Sequence, residues 1–283
     1  VTSGDDAKLG ETSGPREPDA TGDAARPIPA GVGFTARRTG ARDAWVVLAL
    51  LAAFVLGVRA LLTPMTHVLV ARIPASFDER VGAAIAEVQR KTGAPIDDAR
   101  AAHVRALVAE VDPRVRALTD GAALGSLRVT LLASDAVNAF ALPGGEVFVL
   151  EGLLAKEGAT DDVLAGVLAH EIAHASLRHG VKGIVRRNLL RSVAVVLFGG
   201  LDSGTVALVG GGLSLGDLAY DRAMEAEADE IAGRALLAMG RPVEPLARFL
   251  EELETAGPTV ALFQNHPAGR DRAAALRALA AGR

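Results

Sequence analysis

The sequence predicts a mostly helical α+β protein, with a small antiparallel sheet inside a folded domain and one transmembrane helix ahead of it. Three observations carry this. Residues 44–62 form an apolar run with Arg59 as its one charge, and alternating or β-branched segments bounded by turns lie between residues 127 and 150. Half of the chain is hydrophobic but only 4% is aromatic, so the core must be built from Ala, Leu and Val, which favours helix. At 283 residues the chain can hold one domain with its own core and an appendage. Three parts are expected: a disordered polar tail over 1–43, a transmembrane helix over 44–62, and a folded domain over 63–283.

The tail is rich in Gly, Pro, Thr and charge and has no apolar period, so it cannot bury enough surface to offset its ordering entropy. Its charge passes from acidic (Asp5, Asp6, Glu11, Glu17) to basic (Arg37, Arg38, Arg42). Ala44 to Leu62 is long enough to cross a bilayer, with Trp45 at one interface and Arg59 near the far end, where it can snorkel. The forty-odd residues before it are too many for the n-region of a signal peptide, so an uncleaved single-pass anchor in a bacterial-type inner membrane is expected. The arginines before the span place that side in the cytoplasm and the folded domain on the periplasmic side.

Beyond the anchor, Val81, Ala84, Ile85 and Val88 mark a helix over 77–92 ended by Gly93. A second helix is expected from Asp97 to Val111, stopping at Pro113. Leu127–Ala133, Val137–Leu142 and Glu146–Leu150 read as strands of an antiparallel sheet or meander, with turns at Ser134-Asp135 and Pro143-Gly144-Gly145. Thr160 can cap the next helix, with Asp161 and Asp162 in its first turn. Residues 191–218 are apolar but broken by glycines and Asp202, which suggests a buried or membrane-surface helical hairpin. Helices over 220–239, 243–256 and 268–283 complete the expectation.

Composition removes several function classes. The chain has no cysteine, which excludes disulfides, thiolate metal sites and a cysteine nucleophile. A net charge of -4 and the lack of a basic stripe give no case for nucleic acid as a partner.

The chemistry concentrates in His170-Glu171-Ile172-Ala173-His174. Residues four apart lie one turn apart on one helix face, so two imidazoles can close on one metal ion while Glu171 reaches its water. A catalytic zinc needs a third ligand and an open position. Glu225 and Asp229, also four apart, share a face of a helical stretch. Glu225 is assigned as the third ligand, while Asp229 would accept from the outer nitrogen of a ligand histidine. Glu227 points elsewhere. His179 lies five residues after His174, not six, and reads as a structural or surface histidine.

These motifs, in this order, resemble the membrane-associated zinc metallopeptidases related to HtpX, BepA and the CAAX prenyl endopeptidases, a zincin-like family with HExxH followed by ExxAD. Asn138 to Gly145 is similar to the family's strand ahead of the active-site helix, and His266-Pro267 with Arg272 is similar to its late HPxxxxR element. The resemblance implies one Zn²⁺ per chain on His170, His174 and Glu225, with Glu171 as general base. It further implies Arg272 or His266 at the oxyanion, and a substrate strand paired along Asn138, Ala139 and Phe140. In related enzymes a histidine in the place of His266 can approach the metal and keep the site latent. The implied activity is membrane-anchored endoproteolysis of membrane or envelope proteins, serving quality control, with protein or peptide substrates and the lipid bilayer as partners. The alternative is a chaperone-like or peptide-binding module on the same fold with little proteolysis.

Overall fold

The computed structural model describes residues 41–119, 124–198, 220–256, 266 and 271–282. The polar tail and most of the glycine-broken stretch after Phe198 lie outside the described residues. A first helix, α1 (Ala41–Arg72), runs ten residues past Leu62, through Pro64. From Ala44 to Arg72 it is long and apolar enough to cross a membrane. Trp45, Leu50, Phe54 and Leu56 are exposed, as a lipid-facing surface requires and a core helix would not show. Its last turns differ. Leu62, Thr66 and Val70, four apart, are buried, so this face belongs to the folded body.

The helix α2 (Ala75–Thr92) buries Val81, Ile85 and Ala86 and ends at Gly93, as its period predicts. By contrast α3 (Ala99–Thr119) continues through Pro113, where the sequence reading stops it. A proline inside a helix costs roughly 3 kcal/mol. Here Val111 and Val115, on either side of it and fully buried, extend the apolar stripe across the break. Arg116 then anchors the far end on Asp112 and on the carbonyls of Leu124 and Gly125.

The sheet has four strands in the order β1-β2-β4-β3: β1 (Pro95–Ile96), β2 (Arg128–Leu132), β3 (Ala139–Leu142) and β4 (Glu146–Leu150). The β3–β4 hairpin follows from Pro143-Gly144-Gly145, whose Gly144 takes φ 80°. The expected antiparallel meander does not form, because β2 pairs with β4 in parallel and the sheet is mixed. Residues 133–138 form no tight hairpin turn, and carry the chain across so that β3 becomes an edge.

A short helix, α4 (Glu151–Ala155), leads to α5 (Asp161–Ser176), capped by Thr160 Oγ1 accepting from the Val163 N–H at 3.4 Å. Every residue from Val163 to Ser176 is buried. Around this central helix pack α3, β3, α7 (Arg222–Ala238) and α8 (Glu244–Ala256), with α9 (Arg272–Ala281) against α7 and α8. The helix α6 (His179–Phe198) follows α5 after a sharp break.

Candidate metal centre

Because α5 is buried from Val163 to Ser176, His170, Glu171 and His174 must be satisfied inside the protein. His170 and His174 point their Nε2 atoms at each other, 2.9 Å apart. On α7, Glu225 faces them, with Oε2 at 3.4 Å from His170 Nε2 and Oε1 at 3.4 Å from His174 Nε2. His266 adds Nδ1, 3.3 Å from His170 Nε2 and 3.0 Å from Glu225 Oε1. The ligand atoms of these four buried residues all lie within 4.8 Å of one another.

The donor set fits zinc. Ligands at 2.0–2.1 Å on a tetrahedral ion sit about 3.3 Å apart, and the separations here bracket that value. Two buried ring nitrogens and a carboxylate converging in a dry interior share protons whose place a cation would take. Beside them, Glu171 Oε1 and His266 Nε2 are buried, 3.3 Å apart, and make no hydrogen bond.

The second layer holds this arrangement. Asp229, one turn beyond Glu225, places Oδ1 2.9 Å from His170 Nδ1, which turns that ring's other nitrogen toward the centre. Arg272, at the start of α9, donates from Nε and Nη2 to both oxygens of Asp229 at 2.6 and 2.8 Å. Its Nη1 lies 3.0 Å from Glu225 Oε2. All three guanidinium nitrogens thus engage the two α7 carboxylates. Glu171 Oε2 accepts from the Ala141 N–H of the edge strand at 3.1 Å.

The electrostatics follow from burial and partners. Burial works against the charge on His170, but Asp229 and Glu225 carry its pKa up to about 10. Burial and the neighbouring charged His170 push His174 well below the usual imidazole range. Burial raises the Glu171 carboxyl, against the pull of His266 and His170. Glu225 and Asp229 stay ionised despite burial, held down by the histidines and, for Asp229, by Arg272. Two ionised buried carboxylates beside one arginine make a pocket that favours a divalent cation.

The substrate-strand residues divide by backbone direction. Asn138 O accepts from Leu150 N, so Asn138 and, by alternation, Phe140 direct their backbone groups to β4. Ala139 and Ala141 direct theirs away from β4, along an edge that is buried, the second with its N–H already on Glu171. Of Asn138, Ala139 and Phe140, Ala139 directs its backbone groups away from β4.

Residues 105–280 match the family model described as Peptidase family M48. The chain belongs to this family. Among M48-related proteins, mitochondrial metalloendopeptidase OMA1 of Schizosaccharomyces pombe is 37% identical over 144 residues, covering 48% of this chain and 41% of its own length. Metalloprotease LoiP of Escherichia coli is 31% identical over 147 residues, 50% of this chain and 58% of its own. The beta-barrel assembly-enhancing protease of Escherichia coli is 33% identical over 135 residues, 44% of this chain and 27% of its own. The chain thus spans less than two thirds of each of these relatives. Zinc is the family's cofactor, in agreement with the cluster of His170, His174 and Glu225.

Three residues beside the cluster were given no site role by the sequence, His179 having been read as structural or surface. Tyr220 stacks on the His174 ring, with centroids 3.8 Å apart and planes 18° apart. His179 is fully buried, its Nδ1 2.9 Å from His174 Nδ1. Burial and nearby Lys182 push its pKa down to about 4. Arg178, with φ 58°, makes the break between α5 and α6. No periodicity signals any of the three, because each acts where a helix ends or has not begun.

Proposed function

We propose that this chain is a zinc-dependent endopeptidase held in a membrane by α1. The observation that supports it most is the convergence of His170, His174 and Glu225 beside a buried, proton-ready Glu171. Zinc, when bound by those three side chains, would polarise the scissile carbonyl and acidify a water beside it. An extended substrate adds to the sheet at the Ala139 and Ala141 edge, pairing with the outward groups of Ala139 and the Ala141 carbonyl once that buried edge is uncovered. This sets the scissile bond over α5, where Glu171 lies within one hydrogen bond of the strand. Glu171 takes the proton of the attacking water and delivers it to the leaving amine nitrogen. Asp229 and Arg272 keep His170 and Glu225 fixed during these transfers.

His266 occupies the fourth donor position, which supports a resting state in which substrate or water must displace it before hydrolysis. The same closed set favours the second reading, a module that binds peptides and hydrolyses them little. The apolar α1 supports substrates in the membrane or envelope, and the relative named for enhancing beta-barrel assembly supports a quality-control role. The arginines before the span support an extracytoplasmic catalytic side.

Casein cleavage in detergent tests the reading. Zinc-dependent cleavage, lost with chelator and lost in Glu171→Gln while zinc is retained, is the expected result. Chelator-sensitive peptide binding without cleavage would favour the second reading, and cleavage by Glu171→Gln at the wild-type rate would remove Glu171 from the mechanism.

A further inference from the structure

We propose that His179, backed by Glu227, is a positioning residue for the metal ligand His174, delivered to its place by the left-handed backbone of Arg178. The inference rests on the metal-site reading above. It starts from the outer nitrogen of His174. With Nε2 turned toward the other donors, Nδ1 must carry the ring proton and needs an acceptor in a fully buried place. His170 has a carboxylate for this purpose; His174 has none. What lies 2.9 Å from its Nδ1 is the Nδ1 of His179.

That contact fixes the remaining protons. His179 Nδ1 must accept, so its own proton sits on Nε2, which lies 3.2 Å from Glu227 Oε2. A one-way chain results: His174 donates to His179, and His179 donates to a half-exposed carboxylate. Tyr220 covers the face of the His174 ring. The ring is thereby held both at its face and at its outer nitrogen, leaving Nε2 one direction to point.

The backbone is shaped to allow this. On a continuous helix, a residue five positions after His174 would lie well around from it, and His179 could not reach its outer nitrogen. Instead α5 ends at Ser176, and Arg178 enters the left-handed region at φ 58°. A non-glycine residue there costs roughly 1–2 kcal/mol. The conformation is held by the Arg178 side chain, which pairs with Asp78 through Nε at 3.0 Å and through Nη2, and donates from Nη1 to the Val70 carbonyl at 2.9 Å. The strain sits one residue before the histidine it delivers, where backbone strain has a function to serve.

The test compares His179→Leu, which fills the space without an acceptor, with His179→Asn, whose Oδ1 can stand where Nδ1 stands. Both full-length variants are purified in detergent and titrated with zinc against a competing chelator, and folding is monitored by circular dichroism. The leucine variant should lose roughly 10- to 100-fold in zinc affinity, the range for removing such a partner. The asparagine variant should stay within about threefold of wild type. Unchanged affinity in a folded leucine variant, or equal loss in both, overturns the proposal. A measurement on the zinc-loaded wild type does not depend on variant folding: long-range proton–nitrogen NMR should find His179 protonated at Nε2 alone, and a proton on its Nδ1 overturns the chain. Wild type that takes up no zinc would instead bring down the metal site itself.

Discussion

Replacing Arg272 by methionine separates the two roles this residue can have. The guanidinium is about one-tenth exposed and contacts Asp229 through Nε and Nη2 and Glu225 through Nη1. Methionine keeps the stem and removes the charge, leaving two ionised carboxylates in a dry interior. Breaking a buried pair in this way costs about 3–5 kcal/mol. For a folded body of this size, each kcal/mol moves the melting temperature by about 2–4 °C. The metal-free variant should therefore melt roughly 6–20 °C below wild type. Zinc should recover much of the loss, because the ion supplies the positive charge that the arginine gave. Melting by circular dichroism with and without zinc, alongside casein cleavage at saturating zinc, reads both effects. A variant that melts with wild type yet loses catalysis would refute the holding role and restore the oxyanion role that the late HPxxxxR element suggests.

Three further outcomes follow from the same geometry. Zinc uptake should weaken as pH falls. His170, with its pKa raised to about 10, holds a proton that the metal must displace, so apparent affinity should rise about tenfold per pH unit below that value; a flat profile by competition titration would contradict it. In the metal-free protein the sign reverses: the raised pKa contributes stability that is complete below the ordinary 6.5 and lost as pH rises through about 10. His266→Ala opens the fourth donor position and should leave cleavage equal to or faster than wild type, whereas a fall of roughly 10²–10³-fold would give that imidazole the oxyanion role. Gly82→Ala would set a Cβ 1.8 Å from the Pro143 carbonyl oxygen, so it should destabilise by about 1–3 kcal/mol by displacing the turn that carries the edge strand; wild-type melting would contradict that contact.

Much of the site was legible because helices repeat. The pairs His170–His174 and Glu225–Asp229 are each one turn apart, so their facing could be read directly, and it agrees with their convergence. Helix α2 and the Thr160 cap were legible for the same local reason. What sequence did not disclose depends on long-range packing. Nothing near Pro113 tells that Val115 will be buried beyond it. The parallel pairing of β2 with β4 is set by where the chain crosses, not by either strand's own pattern. His179 reaches His174 only because Arg178 turns left-handed, and the carboxylate holding Arg178, Asp78, lies 100 residues earlier. Glu227, read as pointing elsewhere than Glu225 and Asp229, stays half-exposed and outside the ligand cluster, and its contact with His179 is what the sequence did not disclose.

The most direct test of the account is anomalous diffraction at the zinc edge from crystals of the full chain grown with zinc. One peak per chain, within about 2.0–2.2 Å of His170 Nε2, His174 Nε2 and a Glu225 oxygen, is the predicted result. A chain with no such peak, or one whose ion sits away from Glu225, would contradict the claim that two helices close on a single metal.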